Sequence, residues 1–195
     1  MHFSAVILAG GESRRMGRDK AFLEHGGKTL LARQLETVAA LRPAEILVSG
    51  RPDTDYSHLG YPVLLDVQPG CGPMGGLDRA LALARSEWVL VLAVDLPGMT
   101  SAFLGRLLAL SDTGSGVVPE TSRGLEPLAG FYPKRAHGIA SDCLQTGRWA
   151  LADFVTRCAR AGLVRIWCCP SEDEPVFANW NAPADAAGSP QLPGS

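Results

Sequence analysis

AVILAGGESRRMGRDK, residues 5–20, is the stretch that decides the fold of this chain. Its opening, Ala5-Val6-Ile7-Leu8-Ala9, is uninterrupted apolar sequence closed by Gly10 and Gly11. A short apolar run bounded by glycine reads as a buried strand. Arg14, Arg15, Gly17, Arg18 and the pair Asp19-Lys20 follow. Glycines let backbone approach a ligand closely and take positive φ. Successive N–H groups in such a turn form an anion-binding concavity. Arginine and lysine beside it add charge suited to phosphate. The physical reading is a nucleotide-phosphate site at the carboxyl end of the first strand. A tight surface turn with scattered basic residues is the plainer alternative.

Outward from this stretch, strand and helix patterns alternate. Residues 21–27 read as irregular, punctuated by Gly26-Gly27. Residues 28–41 read as a helix, with Leu31, Leu35 and Val38 on one face and Pro43 beyond its end. Residues 45–49 and 61–65 read as strands, the second running into Asp66. Residues 74–85 form a helix pattern with Met74, Leu77, Leu81 and Ala84 on one face. Residues 88–94 are nearly continuous apolar sequence, a strand buried on both sides, ending in Asp95-Leu96-Pro97. Residues 103–110 read as a helix with Thr100 as candidate N-cap.

This alternation predicts an α/β fold, a doubly wound, mostly parallel sheet flanked by helices. Right-handed crossovers put the loops after the strands on one rim, where open α/β sheets bind ligands. The loop from Gly10 to Lys20, Asp66 and Asp95 all fall at such ends. Further on, residues 116–119, 127–132 and 163–169 read as strands, and 134–145 and 150–160 as helices. No interdomain linker or repeat is visible. Residues 1–185 therefore read as one domain, and 186–195, small, polar and proline-containing, as a disordered tail.

Composition excludes several classes. The net charge of −2 offers no basic field for nucleic acid. No stretch approaches the roughly 20 apolar residues of a membrane span. The start MHFSAVILAGG lacks the charge and length of a signal peptide. Cys71, Cys143, Cys158, Cys168 and Cys169 are odd in number and without a Cys-x-x-Cys pair, which predicts reduced thiols in a cytoplasmic protein. The adjacent Cys168-Cys169 reads as buried strand residues ahead of a redox pair. His2, His25, His58 and His137 have no ligand spacing.

The order Leu-Ala-Gly-Gly-x-Ser-x-Arg-Met-Gly-x-Asp-Lys, from Leu8 to Lys20, resembles the signature loop of the molybdenum cofactor guanylyltransferases. It is neither a Walker A loop nor Gly-x-Gly-x-x-Gly. The resemblance implies a Rossmann-like nucleotidyltransferase fold and transfer of GMP from GTP to the molybdopterin cofactor, with pyrophosphate leaving. It implies nucleotide contacts at Leu8, Ala9, Gly10, Gly11 and Lys20, and charge stabilisation of pyrophosphate by Arg15 and Lys20. The Asp-x-Pro at Asp95 matches the family's metal-binding aspartate, implying Mg²⁺ there and making Arg15, Lys20 and Asp95 the catalytic set. A hard cation with one or two carboxylates plus phosphate oxygens and water is what Mg²⁺ prefers.

Gly72-Pro73-Met74-Gly75-Gly76 resembles the family's second glycine loop, implying that Asp66, Gly75 and Gly76 serve the nucleotide. The family's Asn-Arg pair after the second strand is here Gly50-Arg51, so that side-chain role is not carried over. Phe177-Ala178-Asn179-Trp180-Asn181-Ala182-Pro183-Ala184-Asp185 is similar to the family's end motif, implying that Asn179 and Asn181 serve the acceptor. Residues 1–110 would then be the nucleotide-binding half and 111–185 the acceptor half. Partners implied are GTP, the molybdopterin cofactor, and molybdoenzymes or their chaperones as recipients, with no nucleic acid and no membrane. Two alternatives stand beside this: cytidylyl or other nucleotidyl transfer to a related acceptor, and a non-catalytic cofactor carrier.

Overall fold

Every residue of β1 (Ser4–Leu8) is buried, and the fold is wound around it. The structure, a computed structural model, describes residues 1–10, 20–65, 70–111 and 114–180. β1 pairs in parallel with β4 (Glu45–Gly50) on one side and β6 (Trp88–Ala93) on the other. β5 (Val63–Leu65) extends the sheet beyond β4 in parallel. Beyond β6 lie β9 (Ala129–Pro133), β7 (Gly116–Thr121) and the edge strand β10 (Val164–Cys168). β9 is antiparallel to both β6 and β7, and β10 is parallel to β7. A short β8 (Gly124–Leu125) folds back on β7. The sheet is mostly parallel, as the alternation predicts, with β9 and β8 as its antiparallel members.

Strand alternation divides the core in two. Ala5 and Ile7 of β1 and Leu90 and Leu92 of β6 face one cluster with α1 (Leu30–Ala39) and α3 (Ser101–Leu110). Val6, Leu8, Val89 and Val91 face the other, with α2 (Pro73–Leu83), α4 (His137–Gln145) and α5 (Leu151–Arg160). Helices on both faces are what a parallel sheet buried on both sides requires. Among the described residues no helix is long and apolar enough to cross a membrane.

Three local expectations change. The stretch 21–27 is not wholly irregular, and 28–29 is not helical: β2 (Glu24–His25) and β3 (Lys28–Thr29) form an antiparallel hairpin. Its two-residue turn is Gly26-Gly27, at φ 58° and 77°, the left-handed pair that a tight hairpin needs. Consequently α1 starts at Leu30, where Thr29 Oγ1 caps it by accepting from Ala32 N at 3.1 Å. The third change concerns Cys168, which is exposed because β10 is an edge strand. Cys169 is partly buried, its thiol pushed up to about 11 first of all by burial, so it is a poor thiolate nucleophile. All five cysteines are free.

At Gly116 the backbones of β7 and β9 come unusually close. A Cβ there would lie 2.0 Å from Phe131 O. Gly138, near the start of α4, has nothing within 4 Å of such a Cβ. Gly116→Ala is therefore expected to lower stability by about 1–3 kcal/mol through overpacking. Gly138→Ala should raise it by up to about 1 kcal/mol through helix propensity and reduced unfolded-state entropy. Urea unfolding midpoints of the two variants check the pair. Equal midpoints would show that the close approach at Gly116 relaxes freely.

Candidate active site

The winding produces one topological switch. From β1 the chain builds β4 and then β5 on one side, and then returns to lay β6 on the other. At such a point the loops leaving adjacent strands diverge and open a crevice. Here the crevice lies between the carboxyl ends of β1 and β6. Ladder-like bonds run to its lip, with Val94 N donating to Leu8 O at 3.1 Å.

Two of the expected catalytic residues meet there. Lys20 opens a short 3₁₀ turn, Lys20–Phe22, at the return of the loop from β1. Asp95 follows the end of β6. Lys20 Nζ lies 3.6 Å from Asp95 Oδ2, with the side chains 24% and 27% exposed. A cation thus already sits against this carboxylate at the crevice. The loop bearing Asp95 is fixed by its backbone. Gln34, 1% exposed on α1, donates from Nε2 to Leu96 O at 2.6 Å. Trp180 N donates to Asp95 O at 3.0 Å.

That last bond brings the C-terminal motif to the same rim. Phe177 and Trp180 are buried, while Asn179 between them is exposed. The segment lies as a strap over the loop after β6, so close that a Cβ on Gly98 would be 3.2 Å from Pro175 O. Arg106 pairs with Asp173 at 2.6 Å. Ser122 donates from N and Oγ to the two carboxylate oxygens of Glu174 at 2.7 and 2.6 Å. Arg123 Nη2 donates to Phe177 O at 2.9 Å. The sequence offers no local signal for these partners. Gln34 had one, a polar residue on the apolar stripe of Leu31, Leu35 and Val38.

Other residues expected at the nucleotide are engaged within the protein. The amides of Ala9 and Gly10 both donate to Ser49 O, at 2.8 and 3.0 Å. They prolong the β1–β4 ladder, and Leu8 and Ala9 are buried. Gly76 is likewise buried, where a Cβ would lie 2.7 Å from Ser49 Oγ and 3.2 Å from Leu8 Cδ2. Its lack of a side chain serves the packing of α2 on β1 and β4. Gly75 donates its amide to Gly72 O at 3.3 Å. It lines a cavity of about 300 Å³ between α2 and α4 with Asp78, Arg79, Ser141 and Gln145. Burial there holds the Asp78 carboxyl above the usual range, with His137 and Arg79 opposing. Gly11, Arg15, Asp66 and Asn181 lie outside the described residues.

Gly50 acquires a physical explanation. A Cβ there would lie 2.4 Å from Tyr56 Cε2. The Tyr56 ring, 3% exposed, occupies that space and stacks on Phe22 with centroids 5.8 Å apart. Its hydroxyl accepts from Arg51 N at 3.3 Å.

The carboxylate at the crevice stands without other acidic or imidazole groups gathered round it among the described residues, where no three His, Cys, Asp or Glu groups form a metal site. A single carboxylate such as Asp95 could hold only a hard cation whose shell is completed by substrate oxygens and water.

Comparison with known proteins matches this architecture. Residues 5–161 match the family described as the MobA-like NTP transferase domain. The chain is 36% identical over 185 residues to a probable molybdenum cofactor guanylyltransferase of Opitutus terrae, covering 93% of this chain and 92% of that one. In fold it resembles the molybdopterin-guanine dinucleotide biosynthesis protein A of Archaeoglobus fulgidus, with a TM-score of 0.73 at 21% identity over 94% of this chain and 95% of the other. It also resembles the 2-C-methyl-D-erythritol 4-phosphate cytidylyltransferase of Thermus thermophilus, with a TM-score of 0.71 at 20% identity over 96% of each chain. A match that begins inside β1 and runs to the residue after α5 takes in both loops of the crevice, and on it the chain belongs to the MobA-like NTP transferase family.

Proposed function

We propose that this chain transfers GMP from GTP to the molybdopterin cofactor, giving the guanine dinucleotide form and pyrophosphate. The observation that carries this is the meeting of Lys20 and Asp95 at the switch between β1 and β6, in a chain of this family. The acceptor's terminal phosphate attacks the α-phosphorus in line while pyrophosphate leaves. A phosphate nucleophile is already ionised at neutral pH, so the protein supplies placement and charge and no general base. Lys20 turns its ammonium from Asp95 to the triphosphate. Arg15 adds a second positive charge on the leaving group. Asp95 is the residue to hold Mg²⁺, which when bound supplies neutralisation of phosphate charge. Asn179, exposed beside the Asp95 loop, offers an amide donor and acceptor to the other substrate.

One feature favours a second reading, transfer of a different nucleotide. Gly50 withholds the asparagine side chain of the family pair, and the Tyr56 ring fills its space. The fold is shared with a cytidylyltransferase and does not choose the base. Pyrophosphate release measured with GTP, CTP and ATP, each with the molybdopterin cofactor, separates the two. Release with GTP alone supports the first reading, and release with CTP in preference replaces it.

Asp95→Asn removes the carboxylate charge that stands against Lys20, and is expected to abolish most turnover with the unfolding midpoint unchanged. Near-normal rates at limiting Mg²⁺ would refute the assignment. Lys20→Ala and Arg15→Ala are each expected to lower kcat by about 10²-fold or more, as losing one transition-state charge contact does. Full turnover at saturating GTP would make either residue structural only. The double change of Asn179 and Asn181 to Asp is expected to weaken acceptor binding while GTP affinity stays within about twofold, because carboxylates lose the amide donors and face the acceptor's phosphate. Calorimetric titration of each ligand reads this out, and a parallel loss of GTP binding would assign the motif to the nucleotide pocket.

A further inference from the structure

A polar cluster on the acceptor side of the crevice is left unused by this reaction scheme. It is built on the turn from β7 through β8 to β9. That turn stands at the same rim as Asp95, since Ala93 N donates to Leu128 O at 2.8 Å. At its centre is Glu126, whose side chain is 20% exposed. Thr121 Oγ1 donates to Glu126 Oε1 at 3.2 Å, and Arg123 Nη2 lies 3.7 Å from the same oxygen. Oε2 has no hydrogen-bond partner among the described residues. The Arg123 Nη2 that flanks Glu126 also holds Phe177 O at 2.9 Å. Phe177 is the buried anchor two residues before Asn179. Arg123 therefore ties the Glu126 carboxylate to the strap that carries Asn179 and bonds Asp95.

A half-buried carboxylate with one oxygen uncommitted is an incomplete arrangement. Burial holds the Glu126 carboxyl above the usual range, Thr121 and Arg123 opposing. An ionised carboxylate only accepts hydrogen bonds, so its complement is a ligand edge with adjacent N–H donors. The amino-lactam edge of a 2-amino-4-oxo ring, with a ring N–H beside an exocyclic NH₂, is such an edge. Guanine and a pterin both carry it. Position selects between them. Glu126 lies on the β9 and β7 side of β6, with β1 on the other side, and Arg123 links it to the segment that carries Asn179.

We infer that Glu126 is an acceptor-binding residue whose carboxylate takes the amino-lactam edge of the acceptor's pterin ring, with Arg123 as the positioning residue that locks it to the strap. The inference rests on the proposed transfer to a pterin-bearing acceptor. It adds a carboxylate to the asparagines as the recognition element for the ring.

The experiment titrates two fluorescent probes into the full chain: pterin, which has the 2-amino group, and lumazine, which has a 2-oxo group in its place. GTP is titrated in parallel by calorimetry. The wild type is expected to prefer pterin by about tenfold, the discrimination that one lost charged hydrogen bond produces. Glu126→Gln should lose that preference and leave GTP affinity within about twofold. Arg123→Ala should raise the acceptor KM and leave the GTP KM in place, with Arg123→Lys recovering most of the difference. A purely structural role would move both KM values together. If Glu126→Gln does not fold, Glu126→Asp, which retracts the charge by one methylene, carries the same comparison. Wild-type pterin affinity in the variant, or a loss confined to GTP, overturns the inference, the latter assigning Glu126 to guanine. Should the wild type release pyrophosphate only with the molybdopterin cofactor while Glu126→Gln keeps its acceptor KM, the inference falls and the transferase reading stands. Should the wild type show no acceptor-dependent release, the transferase reading falls and takes the inference with it.

Discussion

A strand held on both edges and covered on both faces is the constraint from which the rest follows. β1 is bonded along its length to β4 and β6 and is buried at every residue. With no room for solvent, its polar backbone must be satisfied by neighbouring strands, and its side chains by helices above and below. The bonding does not stop at the strand end. Ala9 and Gly10 still donate to Ser49 O, and Leu8 O still accepts from Val94 N. Past that lip Lys20 and Asp95 face each other. The site is where the demand for paired backbone ends.

Much of this was legible in residue order. The apolar runs at β1 and β6 and the helical stripes of α1 and α2 carry their own periodicity, because burial on two faces or on one leaves different patterns. Strand direction left no such trace. The Ala129-Gly130-Phe131-Tyr132 run is equally apolar whichever way it runs, and β9 proves antiparallel. Glycine was ambiguous in another way. A missing Cβ can admit a ligand or another part of the protein, and sequence does not distinguish them. At Gly76 the neighbour is Ser49, and at Gly50 it is Tyr56. At Gly26-Gly27 the need is for positive φ in a hairpin turn. The strap was invisible for a third reason: Ser122 with Glu174 and Arg123 with Phe177 join residues far apart in the chain, which no local pattern encodes.

That strap explains how two halves of a sequence become one site. Its anchors are apolar, with Phe177 edge-on to Phe103 at 5.2 Å and Trp180 buried in the core. Its polar bonds, from Ser122, Arg123 and Arg106, set register more than they add stability, since exposed ion pairs contribute about 0–1 kcal/mol. The division of labour is physical. Core burial supplies the free energy to order the segment, and directional bonds decide which atoms arrive at Asp95.

Placement then bears on the chemistry. Each histidine whose side chain is described has a neighbour other than Lys20 or Asp95: His2 near Ser86, His58 against Phe22, and His137 beside Asp78. Transfer to a phosphate oxygen asks for no proton abstraction, because the nucleophile arrives ionised and the obstacle is repulsion between two anions. Overcoming repulsion requires fixed positive charge at the place where the anions meet, and little reorganisation when they do. Lys20 is already held against a carboxylate whose backbone is tied down by Trp180, with Gln34 tying down the next residue. Because the Asp95 loop is fixed from the side of β1 by α1 and from the side of β9 by the strap, a change in either half alters the charge geometry at one point. The C-terminal strap is therefore part of the frame that sets where the Asp95 carboxylate stands.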